Sequence, residues 1–400
     1  MHPHPLPARL RHRRLPAALL VLSVVLLASC STLGYVGQAA WGQAKIMVKR
    51  QPIARLLEDP ATPEELRRKL QAVERIREFA FSELGLPDNG SYRAYVELAP
   101  EADASRRTAV VWNVVAAPEL STAPLTWCFP VAGCVAYRGY FSHRRADRFA
   151  DRLRRRGYDV TVSGAAAYST LGWFEDPLLS TVIDYPEVHL AGLIFHELSH
   201  QSVYVQDDTR FNESFATAVE IEGVRRWLAA GDRPETELTE YLAQLERQDD
   251  FADLLLATRE RLQETYGLEA DDEWKRQRKH EIFIELRAML QQIQESWGDT
   301  AVLGERWLEG EVNNADLAAV GNYRELVPGF QRLLDEHGGD LEIFYEAVRE
   351  LAKLSLEERE NRLSPPEKLR SLGEAAAFSP GRQPRGPGPV RANRSPPPGR

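Results

Sequence analysis

The sequence predicts an α+β fold: a small mixed sheet carrying one metal-ligating helix, followed by a mostly helical C-terminal part. Three observations predict it. His196-Glu197-Leu198-Ser199-His200 places two imidazoles and a carboxylate at helical spacing. Short β-branched and aromatic runs between residues 92 and 162 read as strands. From Pro234 onward, charged stretches with helical apolar periodicity dominate.

On an α-helix, positions i and i+4 project from one face about a turn apart. His196 and His200 can therefore grip one ion, and Glu197, beside the first, can reach a water there. Zinc requires such nitrogen ligands, a third protein ligand and one open position. Asp184 is expected to cap this helix, with Pro186 in its first turn and Glu187 three residues after the cap, as in a capping box. Val188, Leu190, Leu193, Ile194 and Leu198 are then expected to be buried. The pentapeptide alone fits equally well two core histidines satisfied by hydrogen bonds, so a third ligand decides.

After the polar connection Gln206-Asp207-Asp208, the segment Phe211-Asn212-Glu213-Ser214-Phe215-Ala216 opens a second helical pattern, with Phe215, Ala216, Val219 and Trp227 on its buried face. Glu213 falls in its first turn, able to fold back onto the histidine pair. The other reading of Glu213 is an exposed glutamate favoured by the helix macrodipole. With both segments in order, the expected metal ligands are His196, His200 and Glu213 around one Zn2+ per chain. Thr217 and Glu220 are candidates for orienting the histidines.

Composition bounds the function. At 43% hydrophobic and 27% charged residues, the 400-residue chain is an ordinary globular protein with enough length for one large core or two modest ones. A net charge of −9 and a pI near 5.6 set nucleic-acid binding aside. Of three cysteines, Cys128 and Cys134 lie in a turn-rich loop, where they either pair or stay as buried thiols.

Residues 1–30 read as a targeting segment. Arg9, Arg11, Arg13 and Arg14 precede an apolar run from Leu15 to Leu27, too short to span a bilayer. Residues 31–230 form the α+β region holding the metal motif. It begins with a stretch to residue 59, a stalk or a first packed helix. Pro63-Glu64-Glu65-Leu66 then starts an amphipathic helix with Leu70, Val73, Ile76 and Ala80 on one stripe. Strands are expected at 92–96, 108–115, 135–141 and 158–162. The arginine-rich helix from Ser142 to Arg156 is expected to be a solvated face paired with the acidic remainder, a membrane-surface contact being the alternative. Ala165 to Leu179, just before the metal helix, is either an extended edge that approaches a substrate backbone or a packed loop. Residues 231–375 read as a helical region packed on the first. His280-Glu281 begins like a second metal motif but lacks its second histidine. The tail from 376 to 400 is rich in Pro, Gly and Arg and is expected to be disordered.

Several segments together resemble a family of bacterial lipoproteins described as aminopeptidases, whose members carry a gluzincin-type metal motif. They are Leu27-Ala28-Ser29-Cys30, Trp127-Cys128-Phe129-Pro130, Tyr168 to Phe174, His196 to His200, and Phe211 to Ala216. Asn212-Glu213 with Phe215-Ala216 is similar to the third-ligand segment of thermolysin-like and aminopeptidase-like zincins. The resemblance implies a zincin-like metallopeptidase core and a lipidated Cys30. It also implies anchoring to a membrane of the bacterial cell envelope, with Ser31 pointing to the periplasmic side of the outer membrane. The expected activity is hydrolysis of a peptide substrate, with Glu197 as general base and Tyr168 and Tyr204 as candidate donors to the tetrahedral intermediate. Tyr204 stands at i+4 from His200. No Gly-Ala-Met-Glu-Asn segment of the amine-recognising kind occurs. Two alternatives stand beside this reading: a catalytically idle envelope scaffold, and a metal hydrolase acting on cell-wall peptides.

Overall fold

The computed structural model describes residues 34–98, 109–129, 133–167, 175–298, 305–321 and 324–364. The leader, Cys30, Tyr168 and the residues after 364 lie outside them. The chain is mixed α and β, mostly helical, with three small sheets. Among the described residues, no helix is long and apolar enough to cross a membrane.

Helix α1 occupies 34–49 and is packed against the body through Gln38 and Ile46. Strand β1 (Gln51–Pro52) and helix α2 (Ile53–Glu58) lead to α3 (Glu64–Ser82), which Pro63 precedes and which buries Leu70, Val73, Ile76, Phe79 and Ala80. Its C-terminal exit turns at Gly85, whose φ of +63° suits glycine. The strand expected at 92–96 shortens to β2 (Ala94–Val96), because Tyr92 takes a φ of +59° that no strand accommodates. β2 pairs antiparallel with β1 and parallel with β8 (Leu178–Leu179).

The second sheet is antiparallel, in the order β6-β3-β7, with β3 (Val111–Pro118) between β6 (Arg138–Tyr140) and β7 (Tyr158–Ala165). Here β3 begins and ends three residues later than the expected 108–115, and β7 continues past the expected 162, since each pairs with the other over eight residues. Helix α4 (His143–Arg154) covers this sheet with Ala146, Phe149, Ala150 and Leu153. β4 (Trp127–Phe129) and β5 (Gly133–Val135) form a separate hairpin. Cys128 and Cys134 stand directly opposite in its register and are joined in a disulfide.

Helices α5 (Glu187–Ser199) and α6 (Thr209–Ala230) fill the main core, together with α3 and the N-terminal half of α7 (Glu235–Gly267). The C-terminal half of α7 packs on α8 (Asp272–Trp297) through Leu255, Leu262, Ile282 and Leu286, and α9 (Glu305–Leu308) and α10 (Asn314–Ala318) close that smaller core. The last three helices, α11 (Val327–Glu336), α12 (Leu341–Ala352) and α13 (Leu356–Leu363), return to the main core. There Phe330 and Phe344 meet Phe215 at ring separations of 5.8 and 6.0 Å.

One buried ion pair ties this return to the start of α6. Asp208 caps α6 by accepting from the Phe211 backbone N–H at 3.1 Å, and its other carboxylate oxygen accepts from Arg359 of α13 at 2.7 and 3.0 Å. Both side chains are more than nine-tenths buried. Removing one partner strands the other charge in the interior, so Asp208→Ala is expected to lower stability by about 3–5 kcal/mol. Asp208→Asn, which can still cap, should cost less. Urea denaturation of the two variants measures this, and a loss below about 1 kcal/mol for Asp208→Ala would contradict the buried-pair account.

Candidate metal centre

Helix α5 starts at Glu187, with Pro186 as the residue before it and no side chain capping it. Asp184 therefore does not cap the helix. It lies two residues too early and instead accepts from Lys69 Nζ at 2.5 Å, while Glu187 places a carboxylate in the first turn. Leu190, Ile194 and Leu198 are buried as the periodicity predicts, whereas Val188 and Leu193 are half-buried, Leu193 at the edge of a cavity. His196 and Glu197 face that cavity, and His200 follows the helix's last residue.

The connection to α6 is held by its own residues. The Asn212 side chain accepts from the Val205 N–H at 2.8 Å and donates to the Val205 carbonyl at 2.7 Å. Ser214 accepts from the Leu326 N–H at 3.2 Å. Phe211 and Phe215 are fully buried. Glu213, set between these fixed neighbours, is the member of the segment that turns to the histidines. Because α6 already begins at Thr209, Glu213 sits one full turn inside the helix rather than in its first turn.

The three donors converge. Glu213 Oε2 lies 3.3 Å from His196 Nε2, and Oε1 lies 3.6 Å from His200 Nε2. One ligand atom from each of the three residues falls within 4.8 Å of the others, a set that can hold a metal ion. The two rings stand 4.9 Å apart and nearly perpendicular, so their Nε2 atoms reach the same carboxylate from different directions.

Behind the site, Glu220 Oε2 lies 2.8 Å from His196 Nδ1, and the Tyr241 hydroxyl of α7 donates to Glu220 Oε1. Carboxylates only accept, so without a metal His196 donates to Glu220 from Nδ1 and to Glu213 from Nε2, and the Glu220 contact would keep the Nδ1 proton in place if a metal took Nε2. Thr217 is buried on the same helix, but the orienting contact belongs to Glu220. Two glycines make room. A Cβ on Gly192 would stand 2.5 Å from the Tyr241 hydroxyl, and one on Gly223 would stand 2.6 Å from the Phe195 ring. Each is buried mid-helix, where glycine is otherwise unfavourable by about 1 kcal/mol.

The electrostatics favour a positive charge at this point. Burial opposes a charge on His196, but the Glu213 and Glu220 carboxylates outweigh it and carry its pKa up to about 10. Burial and the neighbouring His196 push His200 down to about 4. Burial works to raise Glu213 and Glu220, yet their histidine contacts hold both below the usual carboxylate range. Two imidazoles and two carboxylates thus share a pocket that keeps one proton where a cation fits.

A cavity of about 530 Å³ opens beside His196 and Glu197, lined further by Tyr185, Leu193, Tyr241 and Arg324. Tyr204 is half-exposed and close enough to feel the Glu213 charge, which with burial and Asp207 raises its pKa. It does not stand on the metal helix, because that helix ends at Ser199 and helical spacing stops applying. Two phenols that the sequence did not single out are also near. Tyr241 is the donor to Glu220. Tyr92 is buried, and burial with the Glu197 and Asp176 charges drives its pKa well above the ordinary value. The φ of +59° at Tyr92 is the one local oddity tied to that placement, and it has no signal in the sequence.

If Glu220 orients His196, its charge matters to metal affinity and not to the fold of the three ligands. Glu220→Gln is expected to weaken metal binding about 10- to 100-fold, and Tyr241→Phe by less, both measured by competition against a chromophoric chelator. Unchanged affinity in Glu220→Gln would remove Glu220 from the site.

No curated protein and no solved structure matches this chain. The sequence profile of a family described as "Putative aminopeptidase" matches residues 34–363, a span that includes every side chain of the centre. The chain belongs to that aminopeptidase family.

Proposed function

We propose that the chain is a zinc-dependent aminopeptidase with a zincin-like core, held at a bacterial envelope membrane as a lipoprotein. The observation that carries the peptidase reading is the convergence of His196, His200 and Glu213 within 4.8 Å, with Glu197 beside the first histidine. Membership of an aminopeptidase family supports the choice of a peptide substrate. Two imidazoles and one carboxylate are the donor set that zinc takes in hydrolytic sites, with a position left open, and a bound ion would displace the Nε2 proton of His196.

His196, His200 and Glu213 would hold the ion, and Glu220 keeps His196 in the tautomer that can do so. When bound, zinc supplies Lewis-acid polarisation of a carbonyl and a water whose pKa falls toward neutrality. Glu197, beside the first histidine, has the carboxylate that would accept the proton of the attacking water and pass it to the leaving amine. Tyr204, Tyr92 and, from the sequence, Tyr168 are the phenols available to donate to a developing oxyanion.

The anchor rests on Leu27-Ala28-Ser29-Cys30 after an apolar run, with acylated Cys30 as the new N-terminus facing the periplasm. A disulfide between Cys128 and Cys134 suits an oxidising compartment.

Metal content, then peptide cleavage, tests the reading. The full chain is expected to carry one zinc per molecule, lost in His196→Ala. Glu197→Gln should keep the metal and lose about 10²–10⁴-fold in kcat. Peptides with a free N-terminus should be cleaved, and their N-acetylated counterparts spared. Cleavage of the acetylated peptides would replace the aminopeptidase reading with an endopeptidase, and full activity of Glu197→Gln would end the mechanism.

A further inference from the structure

Helix α4 carries an unusual stripe. Arg145, Arg148, Arg152 and Arg156 recur at three- and four-residue spacing, so they share one face of the helix and of the turn that ends it. All four are exposed and line one cavity of about 660 Å³, together with the buried Arg138 of β6. The sequence suggested that these arginines pair with the acidic remainder. Among the described residues they do not. The one carboxylate partner on α4's arginines is Asp151, which takes Arg154 at 3.0 Å, on another face.

Aromatic rings stand beside two of these arginines and beside Arg138. The Arg138 guanidinium lies 4.3 Å from the Tyr35 ring and 4.9 Å from that of Phe149. Arg152 lies 5.5 Å from Phe149, and Arg156 lies 5.7 Å from Tyr158. Such contacts leave the Arg152 and Arg156 guanidinium groups charged, so among the described residues the α4 stripe keeps its positive charge in a chain whose net charge is −9. The planar forks of several arginines around one hollow match the oxygens of a phosphate.

Position supplies the second argument. Gly34 and Tyr35, which open α1, line the same cavity. Cys30 precedes Gly34 by four residues, a reach of at most roughly 14 Å. The outward face of α1 presents Trp41, 66% exposed, and Val48, 85% exposed, with Lys45 beside the Trp41 ring. Exposed tryptophan with flanking lysines is the composition of a helix lying at a membrane surface.

We propose that this arginine-lined cavity binds the phosphate of an anionic membrane-lipid headgroup, seating the α1–α4 face of the protein on the bilayer. The nearness of the bilayer rests on the lipid-anchor reading above. The headgroup site itself rests on the charge and the rings.

Calorimetric titration of the full chain in neutral detergent tests the site apart from the anchor. The probes are dihexanoylphosphatidylglycerol, dihexanoylphosphatidylcholine and inorganic phosphate. The phosphatidylglycerol is expected to bind saturably, at least tenfold more tightly than either of the others. Arg145→Ala and Arg148→Ala together should weaken it about 25-fold, near fivefold each, while Arg144→Ala with Arg155→Ala, exposed but off the cavity, should not. Equal binding of the two lipids overturns the proposal. So does inorganic phosphate binding as tightly as phosphatidylglycerol, since that marks a free-anion site. The mass of the mature N-terminus reads the anchor separately. Headgroup binding without an acyl group at Cys30 supports the site and overturns the anchor. An acylated chain indifferent to phosphatidylglycerol does the reverse.

Discussion

The close approach of α6 to α5 is the constraint on which the centre depends. One helix and the residue that caps its end give the two imidazoles, and the other helix grips the first imidazole from two sides. Glu213 and Glu220 are seven residues apart, two turns on one face, and they meet Nε2 and Nδ1 of His196 respectively. A rotation or slide of α6 would therefore break the ligand set and its orienting bond together. Gly223 lets α6 come within reach of Phe195, and Gly192 lets Tyr241 lean over α5 to complete the chain of contacts.

Such a site is unfavourable to assemble from its own parts. Two carboxylates and two imidazoles leave water for a half-buried position, and burial works against every charge among them. What holds them there is apolar packing contributed from far along the chain. Phe211 and Phe215, on either side of Glu213, are enclosed by Phe330 and Phe344 from α11 and α12. The cap of α6 is locked to α13 through Arg359, 151 residues away in sequence. The C-terminal helices are thus part of the machinery that aims Glu213, although none of their residues belongs to the ligand set.

What the sequence revealed follows how local each signal is. His196 and His200 were legible because helical spacing is a property of five residues. Glu213 was legible because Asn212, Ser214 and the two phenylalanines around it each have a structural duty, which keeps the segment recognisable. The end of α5 was not. Tyr204 looked like a third member of the i+4 series, and only the stop at Ser199 removes it. Asp184 looked like a cap because its spacing to Glu187 was right, but Pro186 sets the entry and Lys69 takes the carboxylate. Tyr241 and Tyr92 gave no sign at all, since what makes them relevant is the fold bringing α7 and the turn before β2 up to α5. The strands were seen as runs but misplaced at their ends: β3 lies three residues later than the 108–115 run and β7 continues past 162, because pairing with a partner, not composition, sets where they end.

The arginines of α4 show the same limit from the other direction. A helix with that much positive charge in an acidic chain invites the expectation of ion pairs, and composition alone supports it. The fold decides otherwise by geometry. α4 lays its apolar side on the β6-β3-β7 sheet, so its charged stripe turns toward α1 and the β4–β5 hairpin, which offer Tyr35 and Trp127 rather than acids. Acidic partners do reach this sheet's neighbourhood, but at its other edge, where Asp159 of β7 accepts from Lys279 of α8 at 2.7 Å and from the Asn314 N–H at 3.0 Å. The sheet therefore separates its charges. One edge is neutralised by docking onto the C-terminal helices, while Arg145, Arg148, Arg152 and Arg156 keep their positive charge among the described residues. Charge left unmatched inside a protein's own structure has to be balanced by solvent ions or by a ligand. A hollow lined by charges of one sign and walled with aromatic rings focuses their field and raises the local concentration of counter-ions, which favours a bound anion.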